Sequence, residues 1–125
     1  MQEQHFTEKI AIKTENIDSH IVTFVNWLNS KESTFTIYSC QGDPKINDNE
    51  CSFLPYVSFY CDSDQDLKAI KKLVSDISLE LRGDEYINFD ISIRYSEYNI
   101  MTIYQIHMSG RTVLEKITKR ITNAI

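Results

Sequence analysis

Phe6, Ile10 and Ile12 are set against polar Thr7, Lys9 and Lys13, the period-two pattern of a strand with one wet face, ending near Lys13. The period then changes. Ile17, Ile21, Phe24, Val25 and Leu28 recur at helical spacing, and Asn16 and Asp18 offer side-chain caps, so a helix is expected from about Asp18 to Asn29. Trp27 lies beside that stripe and reads as an anchor at the core or its rim. Two strand-like runs follow, Thr34 to Ser39 and Tyr56 to Cys61, separated by a polar loop from Cys40 to Pro55.

Ser63 with Asp66 three residues on predicts a capped helix start, and Leu67, Ile70, Leu73, Val74, Ile77 and Leu81 form one apolar stripe, giving a helix from about Asp64 to Leu81 that Gly83 ends. From Tyr86 to Tyr95, Ile87, Phe89, Ile91, Ile93 and Tyr95 alternate with Asn88, Asp90, Ser92 and Arg94, a half-buried strand. Ser96-Glu97 turns it into a second strand, Tyr98 to Met108. Thr112 and Glu115 then predict another capping box, opening a last helix on Val113, Leu114, Ile117 and Ile121.

The order strand, helix, strand, strand, helix, strand, strand, helix predicts an α+β fold: a ferredoxin-like βαββαβ sandwich extended by a C-terminal hairpin strand and helix. Residues 1–125 fit a single domain. If Phe6, Ile10, Ile37, Val57, Phe59, Phe89 and Ile91 face the helices, the opposite face carries Thr34, Thr36, Tyr38, Tyr56, Ser58, Tyr60, Asn88, Asp90, Ser92 and Arg94. Tyrosine buries ring area while its hydroxyl keeps a hydrogen bond, so such a face suits a partner or a flat ligand.

Charge narrows the partners. With 13 Lys and Arg against 18 Asp and Glu, the net charge of −5 disfavours nucleic acid and anionic membranes, both of which attract clustered cations. The start Met1-Gln2-Glu3-Gln4-His5 lacks the basic flank and apolar run of a signal peptide, and no apolar run approaches a bilayer span, so a cytoplasmic setting is expected. Cys40, Cys51 and Cys61 are spaced neither as a redox pair nor as zinc ligands and read as reduced thiols. The acidic loop lacks the ordered spacing and glycine of a calcium loop. No metal or cofactor is expected.

The catalytic candidate is Cys40, at a strand end next to Gly42, but His5, His20 and His107 are scattered, and a thiol nucleophile needs a base beside it. Gly42 permits a tight loop whose amides form an anion nest, and Arg94 and Arg111 are the fixed charges for an anionic ligand. The candidate binding residues are therefore Tyr38, Ser39, Gln41, Gly42, Asp43, Tyr56, Tyr60 and Arg94.

Thr36-x-x-Ser39-Cys40-x-Gly42, followed by Pro55-Tyr56-x-x-Phe59, resembles a stretch of small phage and bacterial proteins in which Ser-Cys-x-Gly is usually followed by His; here Asp43 stands there. A similar Ser-Cys-x-Gly occurs in the wybutosine-synthesis methyltransferases that act on transfer RNA. The resemblance implies a local loop architecture. The leading expectation is a non-enzymatic binding protein, such as an acidic inhibitor or immunity-type protein, with a protein partner or a second copy on the tyrosine face. The alternatives are a small-ligand or nucleotide-binding protein or enzyme using Ser39 to Asp43, and a structural homodimer.

Overall fold

In the computed structural model, residues 20–42, 54–95, 97 and 99–123 are described. They form α1 (Val22–Asn29), β1 (Thr34–Cys40), β2 (Tyr56–Cys61), α2 (Asp64–Ser78), β3 (Ile87–Tyr95), β4 (Ile100–Met108) and α3 (Arg111–Asn123). The strands make one antiparallel sheet in the order β1-β2-β4-β3. The expected strand at Phe6 to Lys13 and the caps Asn16 and Asp18 lie outside the described residues. Among the described residues, no helix is long and apolar enough to cross a membrane.

One core holds the molecule together. Phe24, Val25 and Leu28 of α1, Ile70, Leu73 and Ile77 of α2, and Val113, Leu114 and Ile117 of α3 all pack with Val57, Phe59, Ile106 and Met108 of the sheet. Burying each such side chain stabilises the fold by about 1.5–3 kcal/mol. Because these sheet residues share one face, all three helices lie on that face, the last helix included. Trp27 sits half-buried at the rim, its ring 6.3 Å from that of Phe24 and under the ammonium of Lys31 at 4.1 Å.

Local chemistry sets the ends. Ser63 Oγ accepts from the Asp66 N–H at 3.2 Å, as the capping pattern predicts. The helix stops at Ser78, short of Leu81: Leu79, Glu80 and Leu81 donate to carbonyls three residues back, and that tighter turn swings Leu81 against the core while Leu79 points out. Gly83, with φ 61°, serves the loop beyond instead of the helix end. Thr112 likewise sits inside α3, and its hydroxyl donates to Glu85 Oε2 at 3.0 Å in place of capping its own helix.

Two expectations about faces change. The register of β1 against β2 shifts between Thr36 and Tyr38, so Thr34 and Thr36 turn to the helices and Phe35 takes the outer face. The buried threonines are satisfied: Asn29 Nδ2 donates to Thr36 Oγ1 at 2.9 Å, Thr36 N–H donates to Asn29 Oδ1 at 2.9 Å, and Thr34 Oγ1 donates to Asp66 Oδ2 at 3.0 Å. On β3 only Ile87 and Phe89 pack against the core; Ile91, although on the helix side, is 59% exposed.

An ion network ties α2, α3 and the turn before β3. Lys116 Nζ lies 2.8 Å from Glu85 Oε1, and Arg120 bridges Glu80 and Asp76. The hydrogen bond from Lys116, then the N–H of Arg82 and the hydroxyl of Thr112, hold the Glu85 carboxyl down from 4.5 to about 2. A depressed carboxyl contributes stability that is fully present above its unfolded value and is lost as pH falls from about 4.5 towards 2. Glu85→Gln is therefore expected to flatten the acid side of the melting-temperature profile over that window, measured by circular dichroism. A variant as acid-sensitive as the parent would refute this.

Candidate functional site

The sheet face turned away from the helices brings its side chains into two rows. Cys40 stands opposite Tyr56, Tyr56 opposite His107, and His107 opposite Asn88; beside them Tyr38 stands opposite Ser58, Ser58 opposite Gln105, and Gln105 opposite Asp90. Each row crosses all four strands. Phe35 and Tyr60 extend the aromatic part, with ring centroids 6.2 Å apart.

A polar chain holds the centre. Gln105 Nε2 donates to Ser58 Oγ at 2.8 Å, Gln105 Oε1 lies 3.0 Å from His107 Nε2, and that nitrogen lies 3.4 Å from Asp90 Oδ2. The imidazole stacks on the Tyr56 ring at 6.1 Å. These contacts fix the rings in place, so a partner meets an ordered surface and loses less side-chain entropy on binding. Burial, then the Asp62 carboxylate, raises the Tyr60 phenol above 10.0, which keeps it a neutral hydrogen-bond donor at physiological pH. Tyr38 is the most open of the rings on this face, at 56% exposure.

The anticipated site divides. Tyr38, Tyr56 and Tyr60 come together on adjacent strands. Ser39 stands opposite Val57 and so lies on the helix side. Gln41 Oε1 accepts from the His20 N–H at 2.8 Å. Gly42 abuts Pro55, and its carbonyl accepts from Arg111 Nη2 at 2.9 Å and Nε at 3.2 Å. The arginine thus clamps the end of β1 to the start of α3. Asp43 lies outside the described residues, and Arg94 is at the far side of the sheet on β3, opposite Met101.

Cys40 and His107 are two strands apart, roughly 10 Å by the ordinary strand spacing, with Tyr56 between them. That is too far for the imidazole to deprotonate the thiol directly. Ser58 is buried, and the Gln105 amide separates it from His107, so the Ser-His arrangement of a hydroxyl nucleophile is not made. Among the described residues no three His, Cys, Asp or Glu side chains converge to hold a metal ion. What the face offers is aromatic area and hydrogen-bonding groups around a satisfied polar centre.

Phe35 and Gln105 belong to this surface without having been singled out from the sequence, and His107, which reads there as one of three scattered histidines, joins them. Alternation along Tyr98 to Met108 places His107 opposite to Ile106, but only the pairing of β4 with β2 puts it against Tyr56. No known family model matches the chain, and no curated protein or solved structure shows significant similarity to it.

Proposed function

We propose that the chain is a non-enzymatic binding protein whose partner surface is the aromatic outer face of the sheet. The observation that carries this reading is the placement of the three described helices on the other side, which among the described residues leaves Tyr38 and Tyr56 without a helix over them. Tyr38 is the exposed ring, it lies near the half-buried Tyr56 that stacks on His107, and tyrosines commonly dominate binding energy at protein interfaces. The net charge of −5 favours a basic protein partner, consistent with an inhibitor or immunity-type role. A cytoplasmic setting goes with this reading, since Cys40 and Cys61 are free thiols. The ferredoxin-like reading of the fold is supported by one antiparallel sheet beneath a single helical layer.

The test is affinity capture from the native host, followed by titration calorimetry of each captured protein against the parent chain and against Tyr38→Ala and Tyr60→Ala. A hot-spot tyrosine gives about 2 kcal/mol, so its loss is expected to weaken Kd by about 30-fold. A partner bound equally by parent and both variants would remove the outer face from consideration.

A further inference from the structure

β3 is an edge strand: among the described residues β4 pairs with one side of it and no strand pairs with the other. A long uncovered edge is a template for another chain. Which of its backbone groups are on offer follows from the ladder. The Ser109 N–H donates to Tyr86 O at 3.0 Å, one step beyond the Ile87–Met108 pair, so the even-numbered residues of β3 bond to β4. From the other side, Met108 N–H donates to Pro55 O at 3.0 Å, which commits the even-numbered residues of β4 to β2 and its odd-numbered ones to β3. The amides and carbonyls of Phe89, Ile91, Ile93 and Tyr95 therefore point towards the open edge.

The side chains of these residues form an apolar patch on the helix side beyond the core: Ile91, Ile93 and Tyr95 are 59%, 54% and 75% exposed, and Ile100, opposite Tyr95, is 67% exposed. On the outer face of the same strand one anion, Asp90, and one cation, Arg94, stand symmetrically about Ser92. The geometry points to a homodimer in which the β3 strands of two copies pair antiparallel about a twofold axis at Ser92, joining the two sheets into one.

The register is selected by three features together. A twofold axis normal to the sheet keeps the helices of both copies on one side. With that axis at Ser92, Ile91 faces the partner's Ile93 and Phe89 faces the partner's Tyr95, and these are the pairs whose free amides and carbonyls face each other. Counting both halves, about eight backbone hydrogen bonds form. Asp90 then faces the partner's Arg94 twice, in the non-hydrogen-bonded pairs where strands bring side chains closest. An axis at Ile91 or Ile93 loses both ion pairs, and one at Asp90 or Arg94 sets like charges opposite each other. The exposed contact of Asp90 Oδ2 with His107 at 3.4 Å leaves the other carboxylate oxygen for Arg94. The outer faces of the two copies lie side by side, and the interface, which shares Asp90 with that face, leaves Tyr56 and Tyr38 two and three strands away from it.

Sedimentation equilibrium of the full chain tests it. The parent should have the mass of a dimer, and Asp90→Arg or Arg94→Asp, each of which opposes like charges, should raise the dimer Kd at least about tenfold. The double exchange Asp90→Arg/Arg94→Asp should restore dimerisation, which also shows that the altered strand still folds. Tyr38→Ala should leave the dimer intact. Ser92 meets its own counterpart, so Ser92→Cys should cross-link on oxidation and separate on reduction. Ile91→Cys, offset from its counterpart, should not. A monomeric parent, a dimer indifferent to the single charge changes, or a Ser92→Cys chain that does not cross-link would each overturn the proposal.

Discussion

Gly42→Val is expected to destabilise the fold by about 2–5 kcal/mol, combining about 1–2 kcal/mol for a left-handed backbone at a residue with a side chain and about 1–3 kcal/mol for overpacking. Gly42 has φ 85°, and a Cβ built on it falls 2.7 Å from Pro55 Cδ and 2.8 Å from Pro55 Cγ. The proline ring has little freedom to retreat, because Pro55 is buried and its carbonyl accepts from Met108 N–H. Moving Gly42 instead pulls its carbonyl from Arg111, so strain passes to the junction between β1 and α3. Two other glycines separate the causes. Gly83, with φ 61° and open space around it, should show only the backbone cost of about 1–2 kcal/mol when changed to Ala. Gly110, with open space and no positive φ, should show almost none. Urea unfolding of the three alanine variants and Gly42→Val gives the ranking; a Gly42→Ala as mild as Gly83→Ala would show that the Pro55 contact carries no energy.

The same glycine shows where sequence reasoning reaches its limit. Its need for an unusual backbone was legible, but its use was not: it reads equally as an anion nest or as a tight packing point. Pro55 and Arg111, which decide between them, come from 13 residues further along the chain and from the start of the last helix. The strands, their alternation and the three amphipathic helices were legible because each is coded within a short window. The register shift in β1 was not. Thr34 to Tyr38 are all strand-forming residues, with no glycine to mark a bulge. The face they present is fixed by Asn29 and Asp66, 7 and 32 residues away from their hydrogen-bonded threonines. The pattern of β3 correctly assigned its two faces, yet alternation carries no information about how far the helical layer extends. That is why Ile91 reads as facing the helices and stands exposed. The outer surface was half legible: Tyr38, Tyr56 and Tyr60 follow from alternation, whereas His107 and Gln105 join them only through the order of strands in the sheet.

The buried side of the same strand should respond most strongly of all to truncation. Phe59 is fully buried at the centre of the sheet, stacked on Tyr104 at 5.6 Å between ring centroids and edge-on to Phe89 at 6.3 Å. Its neighbours on the two flanking strands are Thr36 and Tyr104, whose backbones are held in the ladder and do not collapse into a void. Phe59→Ala is therefore expected to cost about 3–5 kcal/mol, the range for emptying an aromatic site that relaxes poorly. Phe59→Leu keeps most of the volume and loses the ring contacts, worth about 0.5–1.5 kcal/mol per aromatic pair. It should fall well short of the alanine variant. Leu79→Ala, at a residue 83% exposed, should stay within about 0.5 kcal/mol of the parent. Chemical denaturation of the three variants supplies the comparison. If Phe59→Ala and Leu79→Ala unfolded at the same midpoint, the assignment of this face of the sheet to the core would fail, and with it the placement of the tyrosines on the other side.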